Sequence, residues 1–360
     1  MADRDDLKTD YLKGRGAQIQ PANRFLKQEV VAEHIEGLDE PLVTDERTKV
    51  FMEQPRKIVN KITSPDLNNM NSANPYQGCE HGCIYCYARN THNYYGFSAG
   101  LDFERNIIVK PTAPALLRKY FENKNYVTEP VMFSGNTDCY QPLERRYRIT
   151  RSMLEVCLEY KNPVGIITKN SLILRDLDLL KELASQRLVH VMVSITSLKD
   201  DLRLLLEPRT ATYKNRLHVL KELSKNNIPA GVMIAPVIPG LTSEEIPRII
   251  EAIAQHGALA VGYSIIRLNG EVKTIFRDWL NKNIPDGAEK IWNQIKECHG
   301  GQVNDSRFGT RMSGEGKIAE SINQLFKMAK KKYMSGRSMP EYDSTLFKRP
   351  AKEGQQLNLF

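Results

Sequence analysis

Three cysteines lie close together in the segment NPYQGCEHGCIYCYAR, at Cys79, Cys83 and Cys86. Their spacings of four and three residues allow one loop to bring three thiolates to a single metal centre. Soft thiolate ligands favour an iron-sulfur cluster, zinc or copper(I). A structural zinc site normally has four protein ligands, and His81 or His92 could supply the fourth. A cubane cluster held by three cysteines instead leaves one iron open to a chelating cofactor.

The elements that must position this loop are alternating strands and helices. After about residue 126, the apolar runs EPVMFSG, PVGIIT, VHVMVSIT, PAGVMIAPVI and ALAVGYSII are each followed by a helical pattern. Ile246, Ile249, Ile250 and Ile253, for example, occupy one face of a predicted helix. With one more strand just before Cys79, the sequence predicts six βα units. The expected α/β fold is a partial (β/α)6 barrel of the TIM type, with its chemistry at the carboxyl ends of the strands.

The flanking segments divide the chain further. Residues 1–65 are polar and interrupted by glycine and proline, which predicts an irregular amino-terminal arm. Residues 66–285 form the predicted barrel core, and 286–354 a carboxyl-terminal helical extension. Residues 355–360 form a tail peptide.

Composition narrows the class of protein. The chain has 360 residues, of which 41% are hydrophobic, so it can bury a sizeable core. It contains no apolar run of about 18 residues, and its amino terminus lacks the apolar stretch of a secretory signal, so we expect a cytoplasmic protein without membrane spans. Cys139, Cys157 and Cys298 stand apart from one another, which is a poor disulfide framework. The net charge of +8 favours contact with phosphate backbones.

The CxxxCxxC motif after a strand, followed by a run of βα units, resembles the radical S-adenosylmethionine (SAM) superfamily over roughly residues 70–270. The resemblance implies a [4Fe-4S] cluster held by Cys79, Cys83 and Cys86, with SAM chelating the open iron. In that family, reductive cleavage of SAM releases a 5′-deoxyadenosyl radical that abstracts hydrogen from the substrate.

The same resemblance implies a set of SAM-binding positions. An aromatic residue before the third cysteine packs near adenine, a glycine-containing turn after the second strand binds the methionyl ammonium, and a strand-end lysine meets the carboxylate. A polar pair after the fourth strand contacts the ribose, an acid with arginines follows it, and a hydrophobic residue with a glycine after the fifth strand contacts adenine. Each also has a structural interpretation, such as a core tyrosine, a strand-ending turn or a surface ion network. The implied residues are Tyr85, Gly135, Asn136, Asp138, Lys169, Ser194, Thr196, Glu207, Arg209, Val237 and Gly240.

Longer phrases, including GLDFERNIIVK, SGNTDCYQPLE and LEPRTATYKNRL, are similar to the spore photoproduct lyase-like branch of the superfamily. The lyase repairs a thymine dimer in DNA, so the resemblance implies a nucleic acid substrate, in DNA repair or base modification. In the lyase a cysteine after the second strand donates hydrogen. Cys139 is the cysteine in the corresponding loop here, although a buried structural thiol is the alternative.

The carboxyl terminus QQLNLF suggests a partner. Gln356, Leu357, Leu359 and Phe360 match the QLxLF-type peptide by which bacterial repair proteins bind the sliding clamp. An electron donor such as flavodoxin or ferredoxin is also implied by the resemblance. Two alternatives remain open: a radical SAM enzyme acting on a peptide or small molecule, and a non-enzymatic, zinc-stabilised adaptor recruited to the clamp.

Overall fold

The computed structural model describes residues 12, 14–21, 23, 48–67 and 70–350. The predicted clamp-binding peptide at residues 356–360 therefore lies outside the described residues. None of the helices in these ranges is both long and apolar enough to cross a membrane.

The described strands are short and rich in β-branched residues, as befits strands that helices cover on one face. They are β1 (Lys49–Met52), β2 (Val59–Lys61), β3 (Asn71–Ala73), β4 (Tyr76–Gln77), β5 (Asn106–Val109), β6 (Val131–Phe133), β7 (Val164–Thr168), β8 (Val189–Ser194), β9 (Ala230–Val237) and β10 (Ala260–Ile265).

The described α-helices alternate with these strands from α2 onward and cover the outside of the main sheet. They are α1 (Leu101–Arg105), α2 (Ala113–Phe121), α3 (Glu144–Tyr147), α4 (Ile149–Tyr160), α5 (Leu177–Ser185), α6 (Asp200–Leu206), α7 (Tyr213–Lys225), α8 (Ile246–Gln255), α9 (Val272–Asn283), α10 (Ala288–Glu297) and α11 (Gly316–Tyr333).

The main sheet has the strand order β10-β9-β8-β7-β6-β3-β2. All pairings from β3 through β10 are parallel, and β2 adds an antiparallel edge. The described strands β10 and β2 end the sheet without pairing to each other, so the barrel is open. The expected α/β partial barrel of six parallel strands is confirmed.

Packing follows the hydrophobic periodicity. The four isoleucines of α8, Ile246, Ile249, Ile250 and Ile253, are fully buried as predicted. Their stripe faces the barrel because residues at these spacings share one side of a helix. The strand side chains of β7 and β8 fill the same core, so each βα unit buries its apolar face against the sheet.

The end of the predicted arm is more regular than its sequence suggests. β1 pairs in parallel with β5, which also pairs with β4, and these three strands form a second sheet beside the barrel. β2, also within the predicted arm, extends the barrel sheet. Strands of two to four residues carry too little periodicity to be separated from loops by pattern alone.

Candidate active site

A cavity of about 300 Å³ opens at the carboxyl ends of the barrel strands. Its walls come from the loop that follows β4 and from the ends of β6, β7, β8, β9 and β10. The volume lies at the lower end of the range typical of small-molecule sites. Parallel βα folds place their chemistry at this edge, so this cavity, hereafter the reaction cavity, is the candidate active site.

The cysteine loop, residues 78–86, borders the reaction cavity with all three predicted ligands. Cys79 and Cys83 are buried, and Cys86 is half-buried. Burial raises the pKa of each of these thiols. No three His, Cys, Asp or Glu side chains in the described part of the chain converge as they would around a single metal ion. Around a cubane cluster, convergence on one point is not required, because each cysteine binds a different iron.

Neither of the two histidines considered as a fourth ligand offers a free ring nitrogen to the reaction cavity. His81 is buried, with Nδ1 3.4 Å from Asp138 Oδ2 and Nε2 3.1 Å from Asn170 Nδ2. His92 is buried between two phenylalanine rings and does not line the reaction cavity. The donor set at the cavity is therefore three thiols, which fits a cubane cluster with one open iron.

A buried ion pair that sequence analysis missed holds the cysteine loop. The Arg89 guanidinium, fully buried, donates from Nε to the Cys83 carbonyl at 2.9 Å and from Nη2 to the Gly82 carbonyl at 3.2 Å. Nη2 also lies 2.6 Å from Oε1 of Glu104, which is fully buried too. Nη1 donates to the Gly100 carbonyl at 3.0 Å. The guanidinium thus ties two carbonyls of the cysteine loop to α1.

The amino-terminal segment closes over the same pair. The Gly16 and Ala17 amides donate to the two oxygens of Glu104 at 3.0 and 2.7 Å. Gly16 approaches so closely that a Cβ there would lie 1.7 Å from the Gly82 carbonyl oxygen. Only glycine fits this contact, so residues 14–17 form a lid on the outer side of the cysteine loop.

Two residues of the predicted ammonium-binding turn already bond strongly to the protein. Both oxygens of Asp138 accept bonds, from the Lys169 amide at 2.8 Å and from the Thr168 hydroxyl at 2.9 and 3.1 Å. Burial opposes ionisation of Asp138, yet His81 and the backbone amides of Lys169 and Tyr140 lower its pKa. Asn136 donates from Nδ2 to Gln77 Oε1 at 2.8 Å. Both residues line the reaction cavity with side chains fixed in place.

Tyr85 lines the reaction cavity and rests on a buried acid. Its hydroxyl donates to Glu207 and lies 3.3 Å from the Thr196 hydroxyl, while Arg216 pairs with the other Glu207 oxygen. Although burial opposes ionisation, Arg216 and then Lys169 lower the pKa of Glu207 to about 2. Neither Glu207 nor Thr196 lines the reaction cavity, so both act on it through Tyr85.

Lys169 and Ser194 line the reaction cavity, at the ends of β7 and β8. The Lys169 ammonium lies 5.9 Å from the centre of the Tyr85 ring, within the range of a cation–π contact. Four other implied SAM-binding or catalytic residues lie elsewhere. Arg209 donates to the Gly14 carbonyl at 3.1 Å, Gly240 packs on α10, and neither Val237 nor Cys139 reaches the cavity surface.

Gly135 does not line the reaction cavity either, but its carbonyl accepts a bond of 2.5 Å from the Tyr87 hydroxyl. Tyr87 is a cavity residue that the motifs did not indicate, together with Met233, Ser264 and Arg267. Arg267 could have been suspected, because it follows the sixth predicted strand as the other site residues follow theirs.

Comparison with known proteins gives the family. Residues 73–253, just over half of the chain, match the model of the radical SAM superfamily. An uncharacterized protein of Mycobacterium tuberculosis is 34% identical over 217 residues, which are 60% of this chain and 64% of that protein. The matched region thus spans less than two thirds of that relative's length. A protein of Pseudomonas phage M6 named radical SAM Nalpha-GlyT isomerase is 24% identical over 51% of this chain and 36% of its own length.

Solved structures give the same fold. Spore photoproduct lyase complexed with dinucleoside spore photoproduct matches with a TM-score of 0.60 and 14% identity, over 82% of each chain. A further structure of that lyase reaches a TM-score of 0.61 at 13% identity, over 86% of this chain and 88% of the other. At these identities the likeness concerns the fold.

The three thiols at the open end of a partial barrel and the family match agree. Members of this family use a [4Fe-4S] cluster and SAM as cofactors and need a reductant. The family match favours a cluster over the alternative of a zinc-stabilised adaptor. The chain belongs to the radical SAM superfamily.

Proposed function

We propose that this enzyme acts on a base of a nucleic acid, in repair or base modification, as the spore photoproduct lyase-like branch does. The observation that carries the proposal is a cation in the wall of the reaction cavity. Arg267 lines the cavity, and among the described residues no carboxylate pairs with it within 4.0 Å. Its one described bond is a long one of 3.4 Å to the Asp305 carbonyl. Burial and the neighbouring Arg311 lower the pKa of Arg267. An anionic ligand would offset this by stabilising the charged guanidinium.

Two further observations support a nucleic acid substrate. The chain carries a net charge of +8, which attracts phosphate backbones at moderate salt. The fold is shared with a lyase that has been solved with a dinucleoside photoproduct.

The proposed roles of the cavity residues follow from their positions. Cys79, Cys83 and Cys86 would hold the cluster through three irons. When bound, the cluster and SAM supply a carbon-centred radical that abstracts hydrogen from the substrate. Lys169 would meet the SAM carboxylate, and Tyr85 would pack on the cofactor as its hydroxyl is held by Glu207.

The test is SAM cleavage by anaerobically reconstituted protein, with and without nucleic acid. We expect release of 5′-deoxyadenosine to rise when single-stranded or damaged DNA is added, and a panel of damaged oligonucleotides then identifies the lesion or base. If the protein cleaves SAM yet binds DNA and RNA no better than an acidic control protein does at moderate salt, the nucleic acid proposal fails. A peptide or small-molecule substrate is then the alternative.

Ligand assignment has its own test. Cys83→Ala should abolish both the iron content and SAM cleavage. Cys157→Ala provides the matched control, because Cys157 is fully buried in α4, away from the reaction cavity, and should leave both largely intact. Equal loss in the two variants would contradict the assignment.

We also propose that the carboxyl-terminal peptide binds the sliding clamp and that flavodoxin or ferredoxin supplies the electron. The support for the clamp is the QLNLF sequence alone. Deleting residues 355–360 should abolish capture of the clamp in a pull-down and leave SAM cleavage unchanged. Capture that survives the deletion would refute the role of the tail.

A further inference from the structure

A second cavity, of about 520 Å³, lies at the edge of the barrel beside β2 and β3. Tyr94 and Tyr95, at the end of the 3-10 helix Tyr87–Tyr95 that follows the cysteine loop, form another of its walls. Asn136 lines this cavity and the reaction cavity alike. The two spaces are therefore neighbours that share Asn136 as part of their walls.

The wall next to Asn136 is a connected set of amides and a hydroxyl. The backbone N–H of Asn136 donates to Asn74 Oδ1 at 2.8 Å, and its side-chain Nδ2 donates to Gln77 Oε1 at 2.8 Å. Gln77 in turn donates to the Thr91 hydroxyl at 2.6 Å. These bonds fix the orientation of each amide, and each amide retains further donors or acceptors for a ligand. A fixed pattern of donors and acceptors is what the edge of a base requires.

The rim of the second cavity carries positive charge and aromatic surface. Lys57 and Lys110 line it, and no Asp or Glu does among the described residues. Glu53 lies 3.9 Å from the Lys110 ammonium but outside the lining. Tyr94 is 69% exposed as a residue, and Tyr95 is 37% exposed. Cations for phosphates beside rings for bases are the features by which proteins bind single strands.

We propose that the second cavity binds the nucleotide adjacent to the reacting one in a single strand of nucleic acid. The amide wall contacts the base edge, Tyr94 stacks on a base, and Lys57 with Lys110 neutralises the intervening phosphate. Asn136 then marks the boundary between the reacting nucleotide and its neighbour. This inference rests on the proposed nucleic acid substrate and adds a subsite to it.

The test compares three full-length, cluster-loaded variants, Tyr94→Ala, Lys57→Ala and Lys331→Ala, with the wild type. Lys331 is an exposed lysine near the end of α11, so its removal changes the net charge equally without touching the cavity. The probe is a short fluorescein-labelled single strand, in DNA and RNA forms of one sequence, titrated by anisotropy at several salt concentrations. Iron content and thermal midpoints report that each variant is folded.

We expect Tyr94→Ala to weaken binding about 5- to 150-fold, the range found for loss of one base stack. Lys57→Ala should weaken binding. It should also reduce the slope of the logarithm of the binding constant against the logarithm of salt concentration by about 0.7, the amount expected for one phosphate contact on a single strand. Lys331→Ala should match the wild type. A loss confined to DNA or to RNA identifies the natural strand.

Two outcomes would overturn the inference, and they are distinguishable. If the wild type binds the strand and Tyr94→Ala and Lys57→Ala bind as tightly, the subsite is elsewhere while the proposed function stands. If the wild type binds neither strand above the acidic control protein, the proposed function and the subsite fall together.

Discussion

The buried Arg89–Glu104 pair gives the sharpest prediction, because it sits directly behind the cysteine loop. Glu104→Gln keeps the shape of the side chain and removes its charge. The carboxylate now accepts three bonds, from Arg89 at 2.6 Å and from the Gly16 and Ala17 amides at 3.0 and 2.7 Å. An amide has one oxygen and an NH₂ group that must face one of these donors. The guanidinium would remain buried without its counter-charge, and at least one N–H would lose its acceptor.

The expected magnitude is large for one substitution. Breaking a buried pair by removing one partner costs about 3–5 kcal/mol, because both side chains here are fully buried and no water can replace the lost charge. The Arg118–Glu159 pair provides a matched control. Its atoms are 2.7 Å apart, but its side chains are 42% and 37% exposed, so Glu159→Gln should cost about 0–1 kcal/mol.

The assay is amide hydrogen exchange followed by mass spectrometry, which measures the free energy of local opening. In Glu104→Gln, peptides covering residues 79–89 and 14–17 should exchange at least about 100-fold faster, the factor that corresponds to roughly 3 kcal/mol. The cluster should also be lost more readily on desalting, because the loop carbonyls are no longer held. The control compares the peptides around residue 159 in Glu159→Gln with the same peptides in the wild type. If exchange of the 79–89 and 14–17 peptides in Glu104→Gln rises no more than exchange of those control peptides, the pair does not secure the loop.

Three further predictions concern the same neighbourhood. Gly16→Ala should expose the cysteine loop and lower iron retention on desalting, because a Cβ would lie 1.7 Å from the Gly82 carbonyl oxygen. Lys169→Met should raise the KM for SAM with little change in iron content, if this ammonium binds the SAM carboxylate. Glu207→Gln should remove a pH-dependent contribution to the free energy of unfolding. The pKa of Glu207 in the folded protein is about 2, below its ordinary value of 4.5. Ionised Glu207 therefore stabilises the wild type above pH 4.5, and this stabilisation is lost as the pH falls toward 2. Denaturation followed across that range should show a flatter acid limb in the variant, and an unchanged limb would refute the role of the buried acid under Tyr85.

Much of the barrel follows from local pattern. Apolar runs of strand length recur with helical stripes between them, and the isoleucine stripe of α8 is long enough to fix both the type of element and its buried face. Five of the six parallel strands, β6 to β10, were predictable for this reason, and the first was expected from its position before the cysteine motif. β1, β2, β4 and β5 were not predictable, because they lie outside the alternation of apolar runs with helices and their pairing depends on partners distant in sequence.

The candidate site divides in the same way. The three cysteines fall within eight positions, so spacing alone indicates a shared centre. Arg89 follows the motif by only three residues, yet nothing local reveals its role, because its partners are an acid from α1 and carbonyls on two loops. The position of Arg267 after the sixth predicted strand was a usable signal, but its lack of a carboxylate partner among the described residues is revealed only by packing.

The sequence segments that resemble the lyase-like branch share a structural role that is not evident from their motifs. From LEPRTATYKNRL, the Leu206 carbonyl accepts from the Ile84 amide at 3.0 Å, and the Arg209 amide donates to the His81 carbonyl at 3.2 Å. From SGNTDCYQPLE, Gln141 accepts from the Glu80 amide at 3.0 Å. These segments therefore fix the backbone of the cysteine loop from two sides. A loop that is to present three thiols to one cluster needs such rigidity more than it needs additional ligands, which agrees with Glu207 and Arg209 lying behind this loop and outside the lining of the reaction cavity.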